Sequence, residues 1–169
     1  MTVVLVTGMS GTGKTAALAE LARRGHAVCD TDLGGYSVDV PSTGDGGVER
    51  LWREERIEAL LDAHAGGLLF LGGCVANQGR FAARFDAVVL LSAPARVMLD
   101  RVARRADNPF GRERAERRRI LDDLATVEPL LRARASAEID TRAPLAQVVD
   151  ALERIAAAAH AARRPAAQS

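Results

Sequence analysis

Lysine is almost missing from this 169-residue chain: 22 of its 23 basic residues are arginine, and the exception is Lys14. Cysteine is nearly as scarce. Cys29 and Cys74 have no C-x-x-C spacing, which argues against a disulfide framework and against a structural zinc site. His26, His64 and His160 share no metal-ligand spacing and receive no role. No apolar run approaches the roughly 18 residues of a membrane-crossing helix. The opening MTVVLVTG lacks the basic flank of a signal peptide, so the expected compartment is the cytoplasm. Neither sign of charge is in excess: 23 basic against 22 acidic residues leave a formal net charge of +1, and aromatic residues make up only 4%. Balanced charge and few stacking rings remove the case for a dedicated nucleic-acid binder.

What is present describes an ordinary folded protein. Hydrophobic residues amount to 48% and charged residues to 27%, far from a disordered profile. The length suits one domain on a prior of roughly 150 residues. That domain is assigned to residues 1–162, with 163–169 as a flexible tail, and a monomer or homodimer is expected. The chain also holds 32 alanines, and alanine together with arginine suggests a coding bias towards G+C. Such a bias leaves lysine only where arginine cannot serve. An ammonium is a compact charge on a slim stem, whereas a guanidinium is a wide planar fork. Lys14 is therefore a candidate functional residue before any motif is consulted.

Read for periodicity, Thr2–Thr7 is a short β-branched run of the kind that forms a buried strand. A helix follows from about Gly13 and is stopped by Gly25. A second strand is expected over 26–29, and residues 33–47, rich in Gly, Ser, Asp and Pro, read as loop. Leu51, Trp52, Glu55, Ala59 and Leu60 have helical spacing and predict one helix over 48–64. Further strands are expected at 68–71, 87–91 and 138–140. Further helices are expected at about 94–105, after the arginine-rich stretch around 107–112 up to about Arg134, and over 144–162. Strands alternating with helices indicate an α/β domain with a five-stranded, mainly parallel sheet and helices on both faces.

Between the first strand and first helix stands Gly8-Met9-Ser10-Gly11-Thr12-Gly13-Lys14-Thr15, which fits G-x-x-x-x-G-K-S/T in its required strand–loop–helix setting. Backbone N–H groups must turn inward around a phosphate chain, and glycines permit the torsions and close approaches involved. The helix start adds its positive dipole end. In such a loop the lysine reaches the β- and γ-phosphates, and the hydroxyl after it, here Thr15, takes one position on Mg²⁺. A later hydrophobic strand ending in an acid would mark a motor-type ATPase. Here LLFL ends in Gly72-Gly73-Cys74 and VVLL in Ser92-Ala93, and the acids end the second strand instead, as Asp30 and Asp32. A carboxylate there can hold Mg²⁺ water or take a proton from an acceptor hydroxyl; it can equally serve an Asx turn or a helix cap.

With these residues in place the chain resembles the small P-loop kinases of the shikimate kinase and gluconate kinase type, related to nucleoside monophosphate kinases. The resemblance runs from Thr2 to about Leu152. It rests on the phosphate loop, Asp30 and Asp32 as D-x-D, Trp52-Arg53, the Gly72-Gly73 turn, an arginine-bearing stretch from Arg101 to Arg112, and PLLRARASAEIDTRAPLAQVV, which places Arg132 and Asp140-Thr141. It implies a P-loop NTPase three-layer sandwich with a short lid, ATP and Mg²⁺ as cofactors, and a small-molecule acceptor. Asp32 would meet the acceptor hydroxyl as base, and Asp30 would lie near the metal. Arg53, Gly72, Gly73 and Arg132 would line the acceptor pocket, Arg101 would stack near the adenine, and Arg105 or Arg112 would close over the phosphates. The chain departs from shikimate kinases at Cys74, where a third glycine is expected, at Asn108-Pro-Phe-Gly-Arg112 in the lid, and at Val127, often basic in that family. These departures bear on the acceptor and leave phosphoryl transfer intact. Residues 32–47 match no acceptor-binding element.

Other residues allow plainer readings. Cys74 can line the acceptor pocket or pack as a small hydrophobe, and Cys29 reads as core. Asn77-Gln78 can bond a polar acceptor or cap a loop. Arg112, Arg114, Arg117, Arg118 and Arg119 are interleaved with Glu113, Glu116, Asp122 and Asp123, which describes a solvated helix face with Arg112 free to reach phosphate. The expected activity is transfer of the γ-phosphoryl group of ATP to a hydroxyl or phosphate of a small molecule. The alternatives are a nucleotide-binding regulatory protein with little turnover and a nucleic-acid end kinase.

Overall fold

Strand β1, Thr2–Thr7, sends Val4 and Val6 into one core layer and Val3 and Leu5 into the other. This is the two-residue period of a strand buried on both faces. The strand is therefore central to the computed structural model, which describes residues 1–42, 47–104 and 114–163. β1 pairs in parallel with β5 (Leu68–Gly72) on one side and β6 (Ala87–Ser92) on the other. Beyond them β2 (Ala27–Asp30) and β7 (Ala137–Asp140) pair in parallel too, giving the order β2-β5-β1-β6-β7.

Two helices cover one face. α1 (Lys14–Arg23) buries Ala17, Leu18 and Leu21, and α6 (Leu145–Arg163) buries Val148, Val149, Leu152 and Ala156 against Val4, Val6, Phe70, Val89 and Leu91. On the other face α2 (Glu54–Ala63) contributes Ile57 and Leu61, and a 3₁₀ helix (Gln78–Arg84) contributes Phe81, both over Val3, Leu5, Leu69 and Leu71. α3 (Ala95–Ala103), α4 (Arg114–Thr126) and α5 (Glu128–Arg134) build a third cluster, in which Met98, Val102, Ile120 and Leu131 surround Met9 and Leu90. The three-layer P-loop architecture expected from the sequence is the one observed. No helix among the described residues is long and apolar enough to cross a membrane.

Two expectations about elements fail. Residues 33–47 are not all loop, and 48–64 is not one helix. Ser37–Pro41 forms β3 and Val48–Trp52 forms β4, an antiparallel pair in register from Ser37↔Trp52 to Pro41↔Val48. The helix begins only at Glu54. Val48, Leu51 and Trp52 suit a helix or a strand locally. The decision falls to tertiary bonds, since the Trp52 N–H donates to Asn77 Oδ1 at 2.8 Å and the Ala76 N–H to the Arg50 carbonyl at 3.0 Å. The helix expected to reach Arg134 unbroken is divided into α4 and α5 at Val127. Pro129 lies in the first turn of α5, where its missing N–H is harmless, but within one continuous helix it would delete a bond and crowd the preceding turn. Arg105, Arg112, the expected lid and the tail after Arg163 lie outside the described residues.

Candidate active site

The loop from Gly8 to Thr15 wraps between the end of β1 and the start of α1. Gly11 has φ +84°, and a Cβ there would stand 2.7 Å from the Met98 carbonyl oxygen of α3, so only glycine lets the loop lie this close. Buried Thr12 tightens the turn, with its hydroxyl donating to the Met9 carbonyl at 2.8 Å. Ser10 is exposed, whereas the Met9 side chain belongs to the third core cluster. The Lys14 ammonium donates to the Gly8 carbonyl at 2.6 Å and to that of Met9 at 3.2 Å. Two of its three N–H bonds thus hold it against the loop, and the third can meet an anion. The first N–H groups of α1 have no partners within the helix. Its first turn carries no acidic residue to compete for them. Helix end, loop and ammonium together are placed so that they can take up an anion.

Across from Lys14, the Thr15 hydroxyl donates to Asp30 Oδ2 at 3.1 Å, while Asp30 Oδ1 accepts the Asp32 N–H at 3.1 Å. One oxygen of Asp30 therefore makes an Asx turn and the other faces the phosphate loop. The paired hydroxyl and carboxylate are hard oxygen donors suited to Mg²⁺. Among the described residues no three His, Cys, Asp or Glu side chains group to hold a metal. Thr15 and Asp30 are the residues here that would hold a Mg²⁺ ion, as two hard oxygen donors.

Asp32 is half-exposed and faces Arg50 of β4, whose Nε lies 3.5 Å from Asp32 Oδ1. The same guanidinium donates to Asp39 at 3.1 Å and to the Asp32 carbonyl at 3.4 Å. Sequence reasoning missed Arg50, because a helix over 48–64 gives that position no relation to Asp32.

Between the two acids, Thr31 is buried. Its hydroxyl donates to the Gly72 carbonyl at 2.7 Å and accepts Trp52 Nε1–H at 2.8 Å. A Cβ at Gly73 would collide with that hydroxyl and stand 3.1 Å from the Trp52 ring, and one at Gly72 would collide with Leu18. The Gly-Gly turn is thus required by packing that draws the end of β5 against the acids. Cys74 is half-buried and packs against the Met9 cluster. Burial pushes the thiol of Cys29 up from its ordinary pKa.

The arginines expected at the site separate into groups. Arg53 sits at the start of α2, exposed, and among the described residues no hydrogen bond or ion pair engages its guanidinium. Arg101 donates to the Gly11 carbonyl at 3.3 Å and to Thr141 Oγ1 and O at 2.8 and 2.6 Å, tying the phosphate loop to the end of β7. Arg132 is held by Glu128 at 2.6 Å and Glu138 at 2.8 Å, which lowers the Glu138 pKa. None of its contacts joins it to Asp32 or the loop. Asn77 pins β4 through the Trp52 backbone, and Gln78 bonds the Val75 N–H at 3.2 Å and the Thr7 hydroxyl at 3.5 Å.

A model of a family described as AAA domain matches residues 4–122. No curated protein matches the chain by sequence. Among solved structures, a shikimate kinase from Acinetobacter baumannii in complex with shikimate is 20% identical with a TM-score of 0.60, covering 98% of this chain and 96% of that one. A gluconokinase from Sinorhizobium meliloti 1021 is 18% identical with a TM-score of 0.57, covering 96% and 98%. A sugar kinase from Janibacter sp. HTCC2649 is 22% identical with a TM-score of 0.54, covering 94% and 98%. At such identities the likeness is one of fold.

Proposed function

The chain belongs to the AAA domain family, and from that membership we propose that it is an ATP- and Mg²⁺-dependent phosphotransferase, moving the γ-phosphoryl group to a small-molecule hydroxyl or phosphate. The observation that carries this reading is Asp32, a half-exposed carboxylate two residues beyond the Thr15–Asp30 contact. A protein that only sensed nucleotide would need the loop and the Thr15–Asp30 pair, but no second, solvent-facing acid.

In this reading the backbone of Gly8–Thr15 and Lys14 would hold the phosphates, and Thr15 and Asp30 would hold the metal. Bound Mg²⁺ supplies charge neutralisation, the main need of a loose phosphoryl-transfer transition state. Asp32 orients the acceptor hydroxyl and takes its proton. Arg53 and the backbone at Gly72, Gly73 and Cys74 are the acceptor-side wall. Arg101 keeps Gly11 in place by its carbonyl. Arg132 serves α5 and β7 rather than the acceptor, since two carboxylates already engage it. The fold neighbours include kinases for hydroxyl-bearing molecules, shikimate among them, which supports a polyhydroxy acceptor. We place the protein in the cytoplasm as one domain over 1–162.

The test is ADP formation from Mg·ATP, with and without a panel of sugars, polyols, nucleosides and nucleotides. An acceptor-dependent rate is expected. A rate that no acceptor raises, together with nucleotide-dependent behaviour surviving Asp32→Ala, would identify a sensor instead.

A further inference from the structure

The inner sheets of α/β proteins are normally covered on both faces. β6 is not. Val89 and Leu91 are fully buried on one side, but Val88, facing the other way, is only half-buried. Beside it opens a cavity of about 870 Å³ between the 3₁₀ helix, β4 and α5. That volume is within the roughly 300–1,000 Å³ of small-molecule sites. Its apolar wall is Leu5, Leu51, Ala82, Phe85 and Val88. Phe85 is held from behind by an edge contact with the Trp52 ring, centroids 6.2 Å apart.

The rim carries opposite charges. Arg80 and Glu54 satisfy each other at 2.5 Å. Arg134 and Glu49 also line the cavity, and among the described residues neither side chain has a hydrogen bond or ion pair. The Arg134 guanidinium lies over Gly79, where a Cβ would stand 2.8 Å from Nη1, so the bare backbone there leaves it room. Leu5 stands three residues before Gly8, roughly 10 Å along the strand at 3.3 Å per residue. The cavity therefore lies beside the sheet at Leu5 and meets the end of β1 through Gln78.

We propose that this cavity is a second ligand site, for a small molecule bearing an anionic group and a hydrogen-bond donor on an apolar skeleton. The anion pairs with Arg134, the donor with Glu49, and the skeleton covers Val88 and Phe85. Gln78 lines the same cavity and bonds Thr7, the residue before the phosphate loop, so the two sites share a wall. The proposal does not depend on phosphoryl transfer.

The probe is 1-anilinonaphthalene-8-sulfonate, which has a sulfonate, an N–H and an aromatic body and fluoresces when it leaves water. Saturable binding of one molecule per chain is expected, undiminished by Mg·ADP. Arg134→Ala should weaken it about 10- to 100-fold, the range for a lost hydrogen bond to a charged group. Glu49→Gln should weaken it severalfold, and Val88→Phe, which fills the cavity, should abolish it. Binding of a fluorescent ADP analogue within threefold of wild type shows that each variant is folded. Arg134 is exposed, so its variant tests the site even if Val88→Phe misfolds. Absence of saturable binding, displacement by Mg·ADP, or an unchanged affinity in Arg134→Ala would each overturn the proposal.

Discussion

The side chains of Asp32 and Arg50 are 43% and 40% exposed, and their ion pair spans 3.5 Å. An exposed pair of this kind contributes roughly 0–1 kcal/mol to stability, so its interest is functional. A general base is typically worth about 10²- to 10⁴-fold, and a loose transition state asks for the lower half of that range. Asp32→Asn is accordingly expected to lower kcat about 10²- to 10³-fold, with ATP affinity within threefold, as measured by steady-state turnover and nucleotide titration. A collapse of ATP affinity would make Asp32 a metal-shell residue and Asp30 the better base. Lys14 gives a sharper test. Its ammonium sits 2.6 Å from the Gly8 carbonyl and 3.2 Å from that of Met9, a two-carbonyl seat that suits a compact charge better than a wide planar fork. Lys14→Arg should therefore be nearly as damaging to turnover as Lys14→Ala, and activity within threefold of wild type would contradict the steric argument. Lys14 could be singled out from composition. Arg50 could not, because its value comes from a strand pairing that local pattern did not show.

The β3–β4 hairpin is the element that brings Trp52 to Thr31 and Arg50 to Asp32. Its register puts Trp52 opposite Ser37, and Trp52 Nε1–H reaches Thr31 at 2.8 Å. Gly73→Ala drives a methyl group into that bonded pair. Such overpacking is expected to destabilise by about 1–3 kcal/mol, read in urea denaturation as a lower midpoint at unchanged slope. A wild-type midpoint would mean that β5 shifts to make room. On the opposite face, α1 and α6 are joined at Arg24, which donates to Glu20, Asp150 and Glu153 at 3.1, 2.7 and 2.8 Å. The network is partly exposed, and Arg24→Ala should lower the Tm by a few degrees, at about 2–4 °C per kcal/mol for this size.

For the whole molecule, acid is the expected weakness. Arg23 and Arg24 lower the Glu20 carboxyl to about 2, Arg132 and Ser92 lower Glu138, and Arg142 lowers Asp140. A carboxyl lowered by folding contributes stability above its unfolded pKa, here 4.5 for glutamate and 3.8 for aspartate, and loses it as pH falls through the folded value. Asp123, raised by burial, acts in the opposite sense. The Tm should fall steadily between about pH 5 and pH 2, and Glu20→Gln should flatten that slope; a slope unchanged in the variant would remove Glu20 from the account. Nucleotide should act globally as well. At 100 times its Kd, Mg·ATP stabilises by about 2.7 kcal/mol, or roughly 5–11 °C in Tm. Lys14→Ala should largely abolish that shift.

The β-branched run of Thr2–Thr7, the glycines and lysine of the loop after it, and the alternation of strands with helices specified the sheet and the strand–loop–helix turn at the end of β1 from sequence alone. Each depends on neighbours within a few residues: a strand's period, a helix start, a loop that only glycine can follow. The acids at the end of β2 were legible for the same reason. Residues 37–52 were not, since Val48–Trp52 suits either state and only bonds to Ala76, Asn77 and Thr31, distant in sequence, select the strand. From that selection follow the Asp32–Arg50 pair, the buried indole behind the Gly-Gly turn, and the Glu49 and Leu51 side of the cavity. Such contacts between segments far apart in the chain leave no local period, so only the folded chain decides them.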